Sequence, residues 1–274
     1  MRPRQSEYVL GYTDREQYRL IQQARALAPA TEHFLRLAGI VSGMRVLDIG
    51  CGMGDVTMLV AHRVGDGGRV VSIDINQASL DTARKRALAM GFGNTRFHRA
   101  DISTFTDVEP FDAVVGRLVL EFVPDPAGAI SRLSQLLRPG GIMAFQEPSW
   151  KVWLNYTSHL PLRTAVTTLI RDTFIAGGAN PEMELPLYRG LKAANRTSPQ
   201  LRIDLPVGDS VEFRDLLYEL LIAVWPRAEA LRLPLESLGP RETLARRLNE
   251  ELDVNDSFAS FVGLVGAFAR KREE

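Results

Sequence analysis

Residues 45–55 read Arg-Val-Leu-Asp-Ile-Gly-Cys-Gly-Met-Gly-Asp, and this stretch decides the fold. Arg45 to Ile49 form a short, mainly apolar run typical of a buried strand, and glycines follow at every second position. Glycine has no Cβ, so this turn lets a ligand approach the backbone closely. Asp48 and Asp55 put negative charge where a dinucleotide would place its pyrophosphate. The order G-x-G-x-G also lacks the third glycine of the dinucleotide fingerprint, so the stretch favours a different ligand.

Three more strand-like runs follow, and two of them end in a carboxylate. The runs are Arg69–Asp74, Thr95–Asp101 and Phe111–Gly116. Asp74 lies 24 residues after Gly50, far enough for one crossover helix, and can accept both hydroxyl protons of a ribose. Asp101 can accept a hydrogen bond from an adenine amino group, with Ile102 beside the ring. The carboxyl ends of these strands are expected to meet at one crevice, where open parallel sheets bind ligands.

In this order the motifs resemble those of the class I S-adenosylmethionine-dependent methyltransferases, in the small-molecule group with a ubiquinone/menaquinone-type core. The matching segments are Val46–Gly52, Asp74, Ala100–Ile102 and the turn Leu136–Gly141 before a fifth strand. The resemblance covers about residues 40–150. It implies an α/β fold, a Rossmann-like, doubly wound, seven-stranded and mostly parallel sheet with a helical cap. Many relatives carry a histidine pair after the fourth strand, but this chain has Glu121-Phe122, so no histidine base can be transferred to that position.

The resemblance implies S-adenosyl-L-methionine as the cofactor, with its methionine end near the first and fourth strands. The predicted cofactor-binding residues are Tyr12, Asp48, Gly50, Cys51, Gly52, Asp74, Ile75, Asp101, Ile102, Arg117 and Leu118. Arg117 either neutralises the methionine carboxylate or an acidic substrate, or forms a salt bridge with Asp125 or Glu121. Aspartates also cap turns and helices, but three of them after three successive strands favour ligand binding.

The rest of the chain is predicted to surround this core with helices. Thr13 and Glu16 form a capping box for a helix to about Ala28; Pro29 ends it, and a second helix stops near Gly39. The predicted organisation is an N-terminal helical lid at 1–39, the cofactor-binding core at 40–150, helical cap insertions at 151–200 and 211–255, and closing strands at 201–210 and 256–274. Alternation in Phe258–Arg270 predicts a single closing strand.

The cap is expected to select the acceptor because aromatic residues concentrate there. They are Trp150, Trp153, Tyr156, Phe174, Tyr188, Tyr218 and Trp225. The predicted substrate-binding residues are Tyr8, Trp150, Trp153 and Tyr156, which suit an apolar or aromatic acceptor. Each ring taken singly is better explained as the core of a helical lid, and the prediction rests on their placement together. Glu147 and His159 are the candidate proton acceptors, although Glu147 could instead cap the backbone of Trp150 or pair with an arginine, and His159 could be structural.

Composition excludes several other classes of protein. The 33 basic and 33 acidic residues cancel, so no net charge attracts the chain to nucleic acid. No apolar run approaches a membrane span, no signal peptide is recognisable, and the single cysteine, Cys51, fits a reducing cytoplasm. The four histidines lack the spacing of metal ligands, so no metal is expected. The expected partner is a small-molecule substrate; the sequence is compatible with a homodimer.

Methyl transfer to an oxygen, nitrogen or carbon of a small metabolite is therefore the predicted function. A non-methylating enzyme of the cyclase type on the same scaffold stays open, because it needs the same cofactor site. A partner-binding pseudoenzyme is disfavoured because Asp74 and the motif glycines are all present. Methylation of a macromolecule is disfavoured by the neutral charge and by a cap that is predicted to enclose its ligand.

Overall fold

The computed structural model describes residues 14–195 and 197–273, with side chains from residue 18. This part of the chain contains nine strands. They are β1 (Arg45–Ile49), β2 (Arg69–Asp74), β3 (Thr95–Arg99), β4 (Phe111–Arg117), β5 (Leu137–Pro148), β6 (Gln200–Asp204), β7 (Val207–Gly208), β8 (Ala259–Ser260) and β9 (Leu264–Arg270). Seven of them form one sheet in the order β3-β2-β1-β4-β5-β9-β6, and β7 pairs with β8 in a separate antiparallel ladder.

Nine α-helices connect or follow these strands. They are α1 (Asp14–Ala38), α2 (Asp55–Val64), α3 (Gln77–Ala89), α4 (Pro126–Gln135), α5 (Trp150–Thr157), α6 (Pro161–Ala176), α7 (Glu184–Asn195), α8 (Val211–Ala230) and α9 (Leu244–Val254) within the described residues. A short 3-10 helix, Leu120–Phe122, follows β4. No helix in residues 14–195 or 197–273 is both long and apolar enough to cross a membrane.

The first five strands are parallel and confirm the predicted fold class. β1 pairs with β2 on one side and β4 on the other, β2 pairs with β3, and β4 pairs with β5. The chain order therefore reverses between β1 and β4. In a doubly wound sheet this reversal is the switch point, and ligands bind there at the carboxyl ends of the strands.

Two compact units emerge from the packing, and one of them holds the sheet. It comprises residues 28–147, 183–203 and 265–273 of the described chain. Successive residues of β1 pack into apolar clusters on opposite faces of the sheet. Val46 packs in a cluster with Phe34 and Val60, and Leu47 packs in a cluster with Ile130 and Leu187. Helices therefore cover both faces, as the period-two alternation of a strand requires.

The other unit comprises residues 14–27, 148–182 and 204–264 and is mainly helical. Polar groups join its helices. The carboxylate of Glu251 accepts from the amides of Leu162 and Arg163 at 2.6 and 2.9 Å, which caps the start of α6. The buried guanidinium of Arg163 donates to the carbonyls of Leu248 and Arg214 at 3.2 and 3.3 Å. Burial lowers the pKa of Arg163 to about 10, so this residue stays charged at neutral pH.

Pro29 does not end a helix, so the prediction of two N-terminal helices is wrong. α1 runs without a break from Asp14 to Ala38. Proline costs one hydrogen bond, to the carbonyl four residues earlier, but its backbone angle is helical. Leu27, Phe34 and Leu35 are buried at helical spacing on both sides of Pro29. This apolar stripe outweighs the local cost of the proline.

The predicted single strand Phe258–Arg270 is also wrong, because it is two strands, β8 and β9. Between them the carbonyl of Gly263 accepts from the amide of Ser149 at 2.6 Å, and a Cβ on Gly263 would lie 3.0 Å from the Ser149 carbonyl oxygen. The amide of Phe261 donates to Pro206 at 3.0 Å. These backbone hydrogen bonds therefore interrupt the strand between β8 and β9, although the apolar alternation continues through residues 258–270.

Candidate active site at the carboxyl ends of the parallel strands

The glycine turn after β1 leaves an open backbone surface. Gly50 and Gly52 have φ of 60° and 51°, in the left-handed region that disfavours residues with a Cβ. A Cβ on Gly52 would meet no atom within 4 Å, so the space above this residue is open. The amide of Cys51 donates to the carbonyl of Ile73 at 3.0 Å, which ties the turn to β2. The turn is thus a fixed backbone cradle that is open at Gly52.

Asp74 connects this turn to the end of β2. Its Oδ2 accepts from the amide of Gly52 and its Oδ1 from the amide of Asn76, both at 2.8 Å. A carboxylate oxygen can accept two hydrogen bonds, so each oxygen keeps one lone pair. The carboxylate is therefore held in place by the backbone and can still accept two hydroxyl groups.

Asp48 is a buried carboxyl group below the turn. Thr57 donates to its Oδ2 at 2.6 Å and is itself hydrogen-bonded to Ser72, whereas its Oδ1 has no partner among the described residues. Burial raises the pKa of Asp48 from its usual 3.8 to about 7, against the opposing effects of Thr57 and Arg117. Ionised Asp48 is thus costly in the folded protein.

Asp48→Asn is expected to stabilise the protein more at pH 8 than at pH 5. Because the folded-state pKa lies above the unfolded one, the native protein binds an extra proton, and stability falls as pH rises from about 4 to about 7. Asparagine does not titrate. The gain should be larger at pH 8 by about 2–3 kcal/mol, since each pKa unit is worth about 1.4 kcal/mol. Urea unfolding of the wild type and the variant at both pH values measures the difference in their free energies of unfolding. An equal difference at pH 5 and pH 8 would contradict the raised pKa of Asp48.

The third strand-end carboxylate, Asp101, is exposed. Its Oδ1 accepts from the amide of Ser103 at 2.7 Å, so it shapes the turn after β3, and Ile102 beside it packs on the core. Ile75 is exposed at 59% immediately after Asp74. The role of Ile75, Asp101 and Ile102 in binding adenosine stays a prediction. In contrast, Cys51 is buried, and burial with the charges of Asp48 and Asp74 raises the pKa of its thiol well above the usual range. A protonated thiol is a poor nucleophile.

Arg117 ends β4 and does not adopt the predicted salt bridge with Asp125 or Glu121. Its Nη1 donates to the hydroxyl of Thr31 on α1 at 2.9 Å. Asp125 instead caps α4, accepting from the amide of Gly128 at 2.9 Å. Burial lowers the pKa of Arg117, but the charges of Asp55 and Asp48 oppose this effect. The predicted role of this guanidinium toward a carboxylate stays a prediction.

Glu147, on β5, neither caps Trp150 nor pairs with an arginine. Its two carboxylate oxygens accept from three consecutive amides, those of Val119, Leu120 and Glu121, at 3.0–3.2 Å. The neighbouring Glu121 is also buried, and its Oε2 has no hydrogen-bond partner in the described chain. Sequence reasoning missed this pair, although the replacement of a family histidine by Glu121 was a signal.

The predicted substrate residues of the second unit lie near one another. Trp150 contacts Trp153 and Phe174, with ring centroids 5.6 and 5.7 Å apart. The ring centroids of Tyr156 and His159 lie 5.9 Å apart. Nε2 of His159 lies 3.1 Å from the hydroxyl oxygen of Ser257. The predictions for Tyr8 and Tyr12 lie outside the described residues.

These groups fit S-adenosylmethionine better than a metal ion. The Gly52 cradle is open, Asp74 offers two lone pairs beside it, and Asp48 retains an unpartnered buried oxygen. Within the described residues, no cluster of three histidine, cysteine, aspartate or glutamate side chains could hold a metal.

Comparison with known proteins agrees with this assignment. A family model described as a methyltransferase domain matches residues 40–176, half of the chain. The trans-aconitate 2-methyltransferase of Methylobacterium radiotolerans is 30% identical over 77% of both chains. The UbiE ubiquinone/menaquinone biosynthesis C-methyltransferase of Teredinibacter turnerae is 37% identical over 42% of this chain and 48% of its own. Among solved structures, the [4+2]-cyclase SpnF shares the fold, with a TM-score of 0.55 at 19% identity over 90% of this chain and 82% of its own.

The site and the fold define an S-adenosylmethionine-binding α/β protein. The chain belongs to the methyltransferase-domain family and, within it, resembles the UbiE-type and related enzymes, as the motifs predicted. Most of the curated relatives are matched over only about half of their own length.

Proposed function

We propose that the chain transfers a methyl group from S-adenosylmethionine to an oxygen, nitrogen or carbon of a small apolar or aromatic metabolite. The observation that carries the proposal is the carboxylate of Asp74, held by two backbone amides beside the open backbone at Gly52. This arrangement supplies a bidentate acceptor for a ribose. The cofactor supplies an activated methyl group on a sulfonium sulfur.

The helical unit is the proposed acceptor-binding part. Trp150 and Trp153 are both buried, and neither indole N–H has a hydrogen-bond partner among the described residues. An unpaired buried donor is costly unless a ligand satisfies it, so these two groups suit a planar acceptor that carries an oxygen. The trans-aconitate and ubiquinone/menaquinone enzymes act on unlike molecules by their names, so neither substrate is transferred to this chain.

Positioning supplies most of the rate enhancement in the proposed reaction. The protein has to hold the acceptor atom in line with the methyl group and exclude water, and a base is needed only for an acceptor that loses a proton. Imidazole is the usual side chain for proton transfer near neutral pH. His159 is the proposed base because it is exposed and its ring is oriented by Ser257 and Tyr156.

His159→Gln is expected to lower kcat about 100-fold or more for an acceptor that must lose a proton, with little change in KM. The matched control is His62→Gln, which changes an exposed histidine on α2. Steady-state kinetics with the acceptor identified below would measure both variants. Equal kcat values for the two variants would mean that His159 is not the base of the reaction.

The deciding experiment is incubation of the protein with methyl-labelled S-adenosylmethionine and pooled small-molecule extracts. Mass spectrometry then follows labelled products and S-adenosylhomocysteine. Label in one small molecule with equimolar S-adenosylhomocysteine would support methyl transfer and reveal the acceptor. An extract component that is transformed without label would instead favour the cyclase-type alternative. The fold cannot separate the two reactions, since SpnF has the same architecture.

A further inference from the structure

Glu147 lies near the carboxyl end of β5 and is fully buried. Its Oε1 accepts from the amides of Val119 and Leu120 at 3.2 and 3.0 Å, and its Oε2 from the amide of Glu121 at 3.1 Å. Hydrogen bonds to an ionised acceptor are among the strong ones in proteins. Three of them from consecutive residues fix both the position and the direction of the segment that follows β4.

That segment is shaped to contact the glycine turn. A Cβ placed on Gly50 would lie 2.2 Å from Cγ2 of Val119, and one on Gly116 would lie 3.1 Å from Cγ1 of the same side chain. The isopropyl group of Val119 therefore occupies the space that two glycines leave free. Displacement of Val119 would remove the packing that supports the turn at Gly50.

Leu118 gives a second reason why the segment needs an external constraint. It has φ of 55°, a conformation that non-glycine residues adopt only when the surrounding structure holds them. Its amide donates to the carbonyl of Gln146 at 2.8 Å, immediately before Glu147 in the sequence. β5 thus restrains the segment twice, by the backbone of Gln146 and by the side chain of Glu147.

We propose that Glu147 is a positioning residue for cofactor binding, whose carboxylate holds residues 118–121 so that Val119 supports the glycine turn. The inference rests on the proposed function, since it concerns the same cofactor site. In this role Glu147 touches backbone amides and no reacting atom. It explains why a carboxylate is buried at this position without a cationic partner.

The charge state of the pair follows from burial. Burial raises the pKa of Glu147 to about 7, although its three amide donors oppose this effect. Burial and the charge of Glu147 together raise the pKa of Glu121 well above its usual range, which favours its protonated form. Arg117, the nearby charge on β4, alternates to the opposite face of the sheet from Glu147. Protonation of Glu147 would put an O–H group against N–H donors, so cofactor affinity should fall as pH decreases through about 7.

Calorimetric titration with S-adenosylhomocysteine from pH 6 to 8.5 tests the proposal. Glu147→Gln should weaken binding about tenfold or more at pH 8, because the amide cannot accept all three N–H groups. It should also have a shallower pH profile than wild type, because the amide does not titrate, whereas Asp48, with a pKa of about 7, still does. Glu121→Gln is the matched control: it is isosteric with the protonated acid, and its affinity and pH profile should stay within about threefold of wild type. Wild-type affinity and pH profile in Glu147→Gln would overturn the proposal.

Amide hydrogen exchange without any ligand gives an independent readout. The amides of residues 119–121 should lose protection in Glu147→Gln and keep it in Glu121→Gln; equal protection in all three proteins would overturn the proposal. If Glu147→Gln does not fold, Val119→Ala serves as the second variant because it removes the same support of the glycine turn. It should weaken S-adenosylhomocysteine binding while the amides of residues 119–121 stay protected. Unchanged affinity in Val119→Ala would overturn the proposal. Failure of the wild-type protein to bind S-adenosylhomocysteine would instead count against the proposed function, and hydrogen exchange would still decide the role of Glu147.

Discussion

Asp74→Ala is expected to lower the affinity for S-adenosylhomocysteine at least about 100-fold. Two hydrogen bonds from ribose hydroxyls to an ionised carboxylate would be lost, and each contributes about 1.5–3 kcal/mol. The substitution also removes the acceptor of the Gly52 and Asn76 amides, so the turn itself loses a constraint. Isothermal titration calorimetry of the purified variant measures the effect.

Asp81→Ala is the control for this change. Asp81 is exposed on α3, where it pairs with Arg84 at 2.7 Å, so its removal changes the net charge equally without touching the strand ends. Its affinity should stay within about twofold of wild type. Similar affinities for the Asp74 and Asp81 variants would place the ribose elsewhere. A large loss confined to Asp74→Ala would support the assignment of this carboxylate.

The sequence was most informative where a residue type at a given spacing is compatible with only one local structure. The run from Arg45 to Asp55 predicted a strand followed by a glycine turn, and both are present, as β1 and a turn in which Gly50 and Gly52 have positive φ. The end of β2 at Asp74 was also correct. These features depend on local backbone geometry and on period-two burial, which a sequence states directly.

Features that depend on distant backbone groups could not be read in this way. Glu147 accepts hydrogen bonds from backbone amides about 27 residues away. Because almost every residue has a backbone amide, the sequence does not mark which amides will be its partners. Pro29 was misjudged because a local rule was applied where the buried stripe of α1 decides. The same reason applies to Arg117, whose hydroxyl partner, Thr31, is 86 residues away. Charged groups nearer in sequence were the more obvious expectation.

Gly52 offers the clearest separation of ligand contact from protein stability. Two effects are expected from Gly52→Val. A β-branched residue at a φ of 51° is strained by about 1–3 kcal/mol, so the variant should unfold at a lower temperature. The new side chain would clash with no protein atom, because nothing lies within 4 Å of the Cβ position. It would, however, occupy the space that the proposal gives to the cofactor.

Gly43→Val isolates the first of these effects. Gly43 has φ of 84° and also has no atom within 4 Å of its Cβ position, but it lies before β1, away from the carboxyl ends of the strands. Both variants should therefore lose similar thermal stability, while only Gly52→Val should lose S-adenosylhomocysteine binding, by about 100-fold or more, as a branched side chain in a backbone cradle excludes the ligand. Thermal unfolding and calorimetry on the two proteins measure both quantities. Equal affinities would mean that the ligand does not lie on this turn, because strain and volume are matched and only position differs.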